Sequence, residues 1–186
     1  MKHTTITIIA AFVFIYVMAI QTSCANIIPP TGGPRDSLPP VLISAEPKDS
    51  ALKFTGNKIL LTFDEYVQLD DRLSEFMIVS PNPDQPPLVT NKLRTVTVKL
   101  KDLLKPNTTY AINFGNGIKD VNEANIFKNF TYVFSTGDSI ANGTFSGKVL
   151  LAETGDADST LIVLLHSNLN DSSIKKNKAD YYTRLD

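Results

Sequence analysis

Short runs of alternating apolar and polar residues are the feature that most constrains this chain. Residues 94–100 place Val96 and Val98 at alternate positions, with threonine or lysine between them. Residues 110–114 and 130–135 repeat the alternation with aromatic and β-branched side chains. Because successive side chains of a strand point to opposite faces, such runs predict strands with one face in a core and one in solvent. The sequence therefore predicts a half-buried antiparallel sheet.

Strand predictions cover most of the central part of the chain. They fall at residues 41–46, 58–63, 76–80, 94–100, 110–114 and 130–135. Residues 66–75 are predicted to form a short helical turn. About seven short strands in roughly 100 residues match the size of an immunoglobulin-like sandwich, so the predicted fold class is all-β. With one cysteine and no tryptophan, the chain lacks the Cys-Trp-Cys core of an antibody-type domain.

A charged start, an apolar run and a single cysteine make up the N-terminal region. The run spans residues 6–20, and Gln21 and the two small residues Thr22 and Ser23 separate it from Cys24. It is shorter than the ~20 residues that a membrane-spanning helix needs, so residues 1–23 are predicted to be an export signal that ends before a lipid-attachment cysteine. Two alternatives stay open: an uncleaved anchor helix that starts at Thr4, and an incidental thiol after ordinary cleavage.

The segment after the leader is rich in proline and glycine. Residues 24–38 are therefore predicted to be a tether that holds a domain off the membrane. Without the leader, 17 basic residues stand against 19 acidic residues. This near-neutral balance lacks the excess of positive charge that nucleic-acid binding requires, so nucleic acid is not an expected partner.

Five segments, in their order and spacing, carry a resemblance to a known family. They are residues 39–41, 59–65, 104–110, 117–120 and 134–137, with sequences such as Ile-Leu-Leu-Thr-Phe-Asp-Glu and Leu-Lys-Pro-Asn-Thr-Thr-Tyr. Residues 39–137 thus resemble the bacterial Ig-like domain of the S-layer-protein type. The resemblance implies an Ig-like antiparallel β-sandwich over this range.

The start of the segment after the leader, Cys24 to Gly33, resembles that of Bacteroidetes lipoproteins that carry such a domain. The resemblance implies a diacylglyceryl group on the Cys24 thiol and an acyl chain on its amine, and two or more chains anchor a protein stably. The implied location is the bacterial outer membrane. The periplasmic face is favoured over the cell surface, because no acidic residue follows Cys24 until Asp36.

Two local features have a structural interpretation that does not depend on the family. Pro106 fixes the backbone of a turn, and Tyr110 is expected to bury its ring and return its hydroxyl to the backbone as a tyrosine corner does. Asp64 and Glu65 follow a buried strand, so we expect them to cap a turn or bind backbone amides rather than act in catalysis.

Residues 138–186 are predicted to form a linker and an incomplete second β unit. Strands are predicted at 145–151, 160–166 and 181–183, and the pattern resembles the first half of a carboxypeptidase-regulatory-like or transthyretin-like sandwich. So few residues cannot bury a full core alone. Either the chain is truncated, which we favour, or the hairpin leans on the first domain.

Residues that could carry chemistry are sparse. His166 is the one histidine after the leader, so zinc sites and Ser-His-Asp or Cys-His catalysis lack their parts, and a core or edge role is favoured for it. The carboxylates of Asp70 and Asp71 are adjacent in sequence, but sequence alone does not show a cleft around them. No phosphate-binding glycine loop occurs, and no cofactor is predicted.

One acidic turn offers a weak metal candidate. Asp120, Asn122 and Asn125 present oxygen ligands of the kind that calcium accepts. Asp and Asn also favour hairpin turns through local hydrogen bonds, and this interpretation is favoured over calcium binding.

Asp-Ser followed by an aliphatic residue or threonine occurs four times, and this triplet resembles the O-glycosylation sequence of Bacteroidetes periplasmic proteins. The candidate acceptors are Ser37, Ser50, Ser139 and Ser159, all in predicted linkers or turns. We expect modification at Ser37 and Ser139 first.

The leading functional prediction is a non-enzymatic, lipid-anchored cell-envelope protein whose Ig-like module is a spacer, scaffold or binding domain. Its partners would be the membrane through Cys24, and envelope proteins or polysaccharide. Two alternatives are an N-terminal accessory module of a longer envelope enzyme and a polysaccharide-binding module. The fold alone decides among none of these.

Overall fold

The computed structural model describes residues 2–19, 32–128, 130–143, 146–158 and 160–185. The chain divides into two units, residues 1–35 and 36–186. The first contains helix α1 (Lys2–Ala19). Among the described residues, no helix is both long and apolar enough to cross a membrane.

The second unit is built almost wholly from strands. Its described strands are β1 (Leu42–Glu46), β2 (Lys58–Phe63), β3 (Val67–Leu69), β4 (Ile78–Ser80), β5 (Leu88–Lys92), β6 (Thr95–Lys99), β7 (Thr109–Asn113), β8 (Ile118–Asp120), β9 (Thr131–Ser135), β10 (Ile162–Leu165) and β11 (Tyr181–Arg184). Two short helices, α2 (Leu73–Phe76) and α3 (Ser173–Lys176), lie between them. The all-β fold class is therefore confirmed.

Two antiparallel sheets face each other in this unit. One has the strand order β1-β2-β6-β5, and the other has the order β4-β7-β9. Strands β3 and β8 form a separate antiparallel pair. In the four-stranded sheet, the β2–β6 register pairs Ile59 with Val98 and Leu61 with Val96, so the alternate residues of both strands share one face.

The core lies between the sheets and consists of the inward-facing residues of the alternating runs. Ile59, Leu61 and Val96 from one sheet and Ile112 and Tyr132 from the other are fully buried. Burial of each such side chain contributes about 1.5–3 kcal/mol to folding. The alternation in the sequence thus predicts the buried faces correctly.

Aromatic side chains from β7, β9 and the 50–54 segment pack together at one part of the core. The Phe134 ring centroid lies 4.4 Å from that of Phe54 and 5.1 Å from that of Tyr110, whose ring is parallel to it. These contacts hold the 104–110 turn against the sheet. The Tyr110 hydroxyl accepts a hydrogen bond from the Lys105 amide at 2.8 Å. The predicted tyrosine corner is confirmed.

Residues 50–54 cross from the four-stranded sheet to the edge strand β9. Ala51 and Phe134 form a parallel bridge. The Ser50 amide donates to the Val133 carbonyl at 2.8 Å, and the Phe54 amide donates to the Ser135 carbonyl at 3.0 Å. The first segment of the domain is therefore bonded directly to its last strand.

Several strand predictions need correction. Residues 66–75 begin with strand β3, and only the four residues of α2 are helical. Strands β5 and β8 were not predicted. The described part of the predicted strand 145–151 forms no strand, because no neighbouring strand pairs with its backbone. The predicted strand 76–80 begins only at Ile78, since Phe76 ends α2.

Strands β10 and β11 form a hairpin that lies against β4. The Asn82 amide donates to the Asp180 carbonyl at 2.7 Å, and its side chain donates to the Ala179 carbonyl at 3.0 Å. The Lys178 amine bonds to the Pro83 carbonyl and lies 3.9 Å from the Asp84 carboxylate. The hairpin thus packs against the sandwich, which is the second of the two alternatives given above and not the one favoured from the sequence.

Candidate functional site

Two of the residues predicted to be modified lie outside the described residues. These are Cys24, the predicted lipid-attachment cysteine, and Ser159, one of the predicted glycosylation sites. Their modification stays a prediction. Residues 24–38 are the predicted tether. Residues 24–31 of it lie outside the described residues, and residues 32–38 have no regular secondary structure.

The other three candidate acceptors, Ser37, Ser50 and Ser139, are exposed. Ser37 precedes the domain, in a stretch without helix or strand, whereas Ser139 lies in a bend after β9. Ser50 has a left-handed backbone, φ +63°, and its amide is bonded to Val133. All three hydroxyl-bearing residues therefore lie at the surface, and Ser50 is in a turn whose backbone amide is bonded to β9.

The predicted calcium turn is organised around the Asp120 carboxylate. Asp120 is fully buried at the end of β8. One carboxylate oxygen accepts the amides of Glu123 and Ala124 at 2.6 and 2.9 Å, and the other accepts the Asn125 amide at 2.8 Å. Burial raises the pKa of Asp120, but these amide hydrogen bonds outweigh burial and hold the pKa below its usual value.

The remaining predicted ligands do not converge on Asp120 in the same way. Asn122 is exposed, and the Asn125 side chain donates to the Asp36 carbonyl at 3.3 Å. In the part of the chain that the structure describes, no group of three or more His, Cys, Asp or Glu side chains is placed to hold a metal ion. Calcium binding by Asp120, Asn122 and Asn125 stays a prediction, while the turn-forming role of Asp120 is visible in its hydrogen bonds.

Asp64 and Glu65 take different parts in the turn after β2. The Asp64 carboxylate accepts the Val41 amide at 2.8 Å, and the Asp64 amide donates to the Val41 carbonyl at 3.0 Å, so Asp64 caps the turn as expected. Glu65 lies among other acids. Burial and the negative charges of neighbours, Asp120 and Asp64 foremost, raise its pKa.

The adjacent carboxylates Asp70 and Asp71 do not act as a pair. Asp70 accepts the Arg72 amide at 2.9 Å and the Lys119 amine at 3.1 Å, and these bonds lower its pKa. Asp71 is exposed. Because Asp70 is fully engaged in the turn, the arrangement offers no acid and base facing one another.

His166 follows β10 and is half-buried. Its Nε2 atom has no hydrogen-bond partner among the described residues.

The loop 81–87 separates two depressions of about 350 and 380 Å³. The Asp102 carboxylate beside this loop accepts the Gln85 amide at 3.1 Å. This carboxylate therefore stabilises the loop.

A basic surface that was not predicted from the sequence lies on the outer side of the four-stranded sheet. A shallow depression of about 520 Å³ there is lined by Tyr66, Lys92, Leu93, Arg94, Thr95 and Thr97. The signal was present in the sequence, because the same alternation that buries Val96 and Val98 turns Thr95, Thr97 and Lys99 outward. What the sequence could not supply was the position of β5, which places Lys92 beside β6.

Two facing antiparallel sheets, a segment (residues 50–54) that crosses from one sheet to the other, and a tyrosine corner together define an immunoglobulin-like β-sandwich module. The family model of the bacterial Ig-like domain matches residues 36–136, more than half of the chain. The protein therefore belongs to the bacterial Ig-like domain family. No curated protein matches the chain.

Proposed function

We propose that this is a non-catalytic, lipid-anchored cell-envelope protein whose Ig-like module is a spacer, scaffold or binding domain. The observation that carries the proposal is the order of segments: an apolar leader, Cys24 after two small residues, a Pro/Gly-rich stretch, and then the Ig-like domain. Residues 1–23 are the signal peptide, 24–38 the tether, 39–137 the domain and 138–186 a linker with a partial second β unit.

The family supports the non-catalytic part of the proposal. Bacterial Ig-like domains are generally non-catalytic. The polar groups that the sequence offered as candidates are used locally, since Asp64, Asp70 and Asp120 each accept backbone amides. Side chains that are fixed in turns in this way stabilise a scaffold and leave little freedom for proton transfer.

The tether sets the reach of the proposed anchor. Residues 25–38 extend to at most roughly 50 Å, at about 3.3–3.6 Å per residue, and their prolines keep the chain stiff. Acyl chains on Cys24 would hold the module within that distance of the bilayer, on the periplasmic face of the outer membrane. Its partners would then be other envelope components.

Lipid attachment is tested in the native envelope. Cells are fed an alkyne-tagged fatty acid, and the N-terminal peptide of the extracted protein is read by mass spectrometry. We expect a labelled peptide that begins at Cys24, and no label in a Cys24→Ala variant expressed at the same level. A peptide that retains residues 1–23 and carries no acyl group would contradict the proposal and indicate an anchor helix.

Polysaccharide binding is a second candidate function, and one observation favours it. The outer face of the four-stranded sheet combines an exposed tyrosine with cations and threonine hydroxyls. Aromatic rings and hydroxyl groups are suited to sugar rings, and cations are suited to acidic groups on them.

A further inference from the structure

The outer face of the four-stranded sheet carries cations at both ends. At one end, Lys58 on β2 and Lys99 on β6 are directly opposite each other. At the other end, Lys92 on β5 is opposite Thr95 on β6. Like charges in directly opposed positions destabilise a sheet, so the Lys58–Lys99 pair concentrates positive charge here at some cost to stability.

Threonine hydroxyls lie between the two ends. Thr95 and Thr97 on β6 point outward, and the register places Thr62 beside Thr95 and Thr90 beside Thr97. From Thr95 to Lys99 the strand rises about 14 Å, at about 3.4 Å per residue. Leu60, opposite Thr97, and Leu88, opposite Lys99, lie on the same face, so the threonines form a short polar strip beside two leucines, with a basic group at each end.

The cations of this face have no acidic partners. Within the described stretches of the chain, no carboxylate lies at ion-pair distance from Lys58, Lys92, Arg94 or Lys99. Glu46, on the edge strand β1, is the one acidic residue in the four strands. The charge of the face is therefore complementary to an anionic ligand.

Tyr66 and the β5–β6 turn form a fixed platform at one end of the strip. The Arg94 guanidinium lies 5.5 Å from the centre of the Tyr66 ring, and the Tyr66 side chain is 51% exposed. The Leu93 and Arg94 carbonyls accept the amides of Val67 and Phe63 at 3.0 and 2.9 Å. These bonds fix the turn in place. Such preorganisation favours binding, because little conformational entropy is lost when a ligand binds.

The same turn contains an unfavourable backbone conformation. Leu93 has φ +54° and a side chain that is 62% exposed, in a position where glycine or asparagine is usual. Strained residues that the surrounding structure holds in place concentrate at functional sites. Here the strained residue is the one that sets Lys92 and Arg94 on either side of the turn.

We propose that this face binds a linear acidic polysaccharide. Tyr66 stacks on a sugar ring, Lys92 and Arg94 bind carboxylates at one end of the strip, and Lys58 and Lys99 bind them at the other. The threonine hydroxyls between them bond to sugar hydroxyls. The inference rests on the binding role proposed above for the Ig-like module and names its ligand class.

The test measures binding of polygalacturonate, a linear polymer of an acidic sugar, to the purified full chain in detergent. Neutral dextran is the uncharged comparison. We expect binding at low ionic strength that weakens with salt, about tenfold weaker binding in the double variant Lys92→Gln/Arg94→Gln, and a similar loss in Lys58→Gln/Lys99→Gln. Glu46→Gln should strengthen binding, because it removes the acidic group of the face.

Two comparisons separate sugar recognition from charge alone. Lys175→Gln/Lys176→Gln removes two exposed charges from α3 and should leave binding unchanged. Tyr66→Ala should weaken binding of polygalacturonate but not of polyphosphate, whereas Tyr66→Phe should retain both. The proposal is overturned if polygalacturonate binds no better than dextran, if the α3 variant loses as much affinity as the face variants, or if Tyr66→Ala has no effect.

This binding measurement is independent of lipid attachment. The purified chain in detergent presents the same face whether or not Cys24 is acylated. A failure to bind polygalacturonate would therefore leave the lipid-anchor proposal intact. An unacylated Cys24 would likewise leave the binding result unaltered.

Discussion

The hydroxyl of Tyr132 donates a hydrogen bond to the carbonyl oxygen of Pro47 at 2.9 Å. The bond joins strand β9 to the segment that follows β1, and the Tyr132 side chain is fully buried. Burial, with a smaller contribution from the Asp49 carboxylate, raises the pKa of Tyr132 to about 12. The neutral phenol is thus part of what holds the first segment to the last strand.

Tyr132→Phe should lower the free energy of unfolding by about 1 kcal/mol at neutral pH, since it removes one hydrogen bond and leaves the ring in place. The pH dependence has a definite sign. Because the pKa is raised in the folded state, the stability linked to Tyr132 is complete below about pH 10 and is lost as pH rises toward about 12. Urea unfolding across this range should show the loss in the wild type and a smaller one in Tyr132→Phe. Parallel curves for the two proteins would contradict the raised pKa.

Asp120→Ala should destabilise the domain by about 3 kcal/mol. It leaves the amides of Glu123, Ala124 and Asn125 without their acceptor in a buried turn. Because the pKa of Asp120 is lowered in the folded state, its contribution is present above the unfolded pKa of about 3.9 and is lost as pH falls through the folded value. Chemical unfolding at neutral and acidic pH measures both effects.

Asn122→Ala is the matched control, because Asn122 lies in the same turn with an exposed side chain. It should change stability little. The same unfolding curves test the predicted calcium site: if Asp120, Asn122 and Asn125 bind calcium, added calcium stabilises the wild type and not Asn122→Ala. An Asp120→Ala protein as stable as the wild type would refute the structural role of this carboxylate.

Asn82→Ala should loosen the β10–β11 hairpin without unfolding the sandwich. The variant loses the hydrogen bond to the Ala179 carbonyl, a change of about 1 kcal/mol that corresponds to roughly fivefold faster exchange of the β11 amides. Hydrogen–deuterium exchange followed by mass spectrometry measures this. Gln85→Ala, in the same loop with an exposed side chain, should leave β11 exchange unchanged. Equal exchange in Asn82→Ala and the wild type would mean that other contacts hold the hairpin.

Glycosylation is expected at Ser37 and Ser139 before Ser50, because all three are exposed outside the strands but the Ser50 turn is held to β9 by its amide bond to Val133. Protein from the native envelope should be heavier than the acylated polypeptide by the mass of one or two glycans. Ser37→Ala and Ser139→Ala should each remove one increment. An intact mass equal to that of the acylated polypeptide alone would refute the modification.

The alternating runs gave reliable predictions because their information is local. Strand β2 was predicted at its observed bounds, and the buried faces of β6, β7 and β9 follow from period-two patterning. Strand β5 escaped prediction because its sequence, Leu-Val-Thr-Asn-Lys, has only one inward apolar residue, Val89, which is partly buried against the core. Its strand conformation comes from pairing with β6, which is a long-range contact. Residues 146–151 show the opposite case, in which strand propensity without a partner strand gives no ladder.

The roles of polar residues were predictable where a local sequence pattern defines them. The tyrosine corner joins Lys105 and Tyr110 within one turn, and the capping role of Asp64 follows from its place directly after a buried strand. The basic face depends instead on registers between strands that are distant in sequence. Lys58 and Lys99 are 41 positions apart, and only the β2–β6 register makes them neighbours.

The parallel contact between residues 50–54 and β9 has a mechanical consequence. The chain enters the domain near Val41, beside Asp64, and leaves β9 near Gly137, beside Lys53 at the opposite end of the sheets. Tension applied between these two points would load the hydrogen bonds of Ser50, Ala51 and Phe54 with β9 in shear, so that they must rupture together instead of one after another. A module of this kind can transmit a pulling force along its length while its hydrophobic core stays closed.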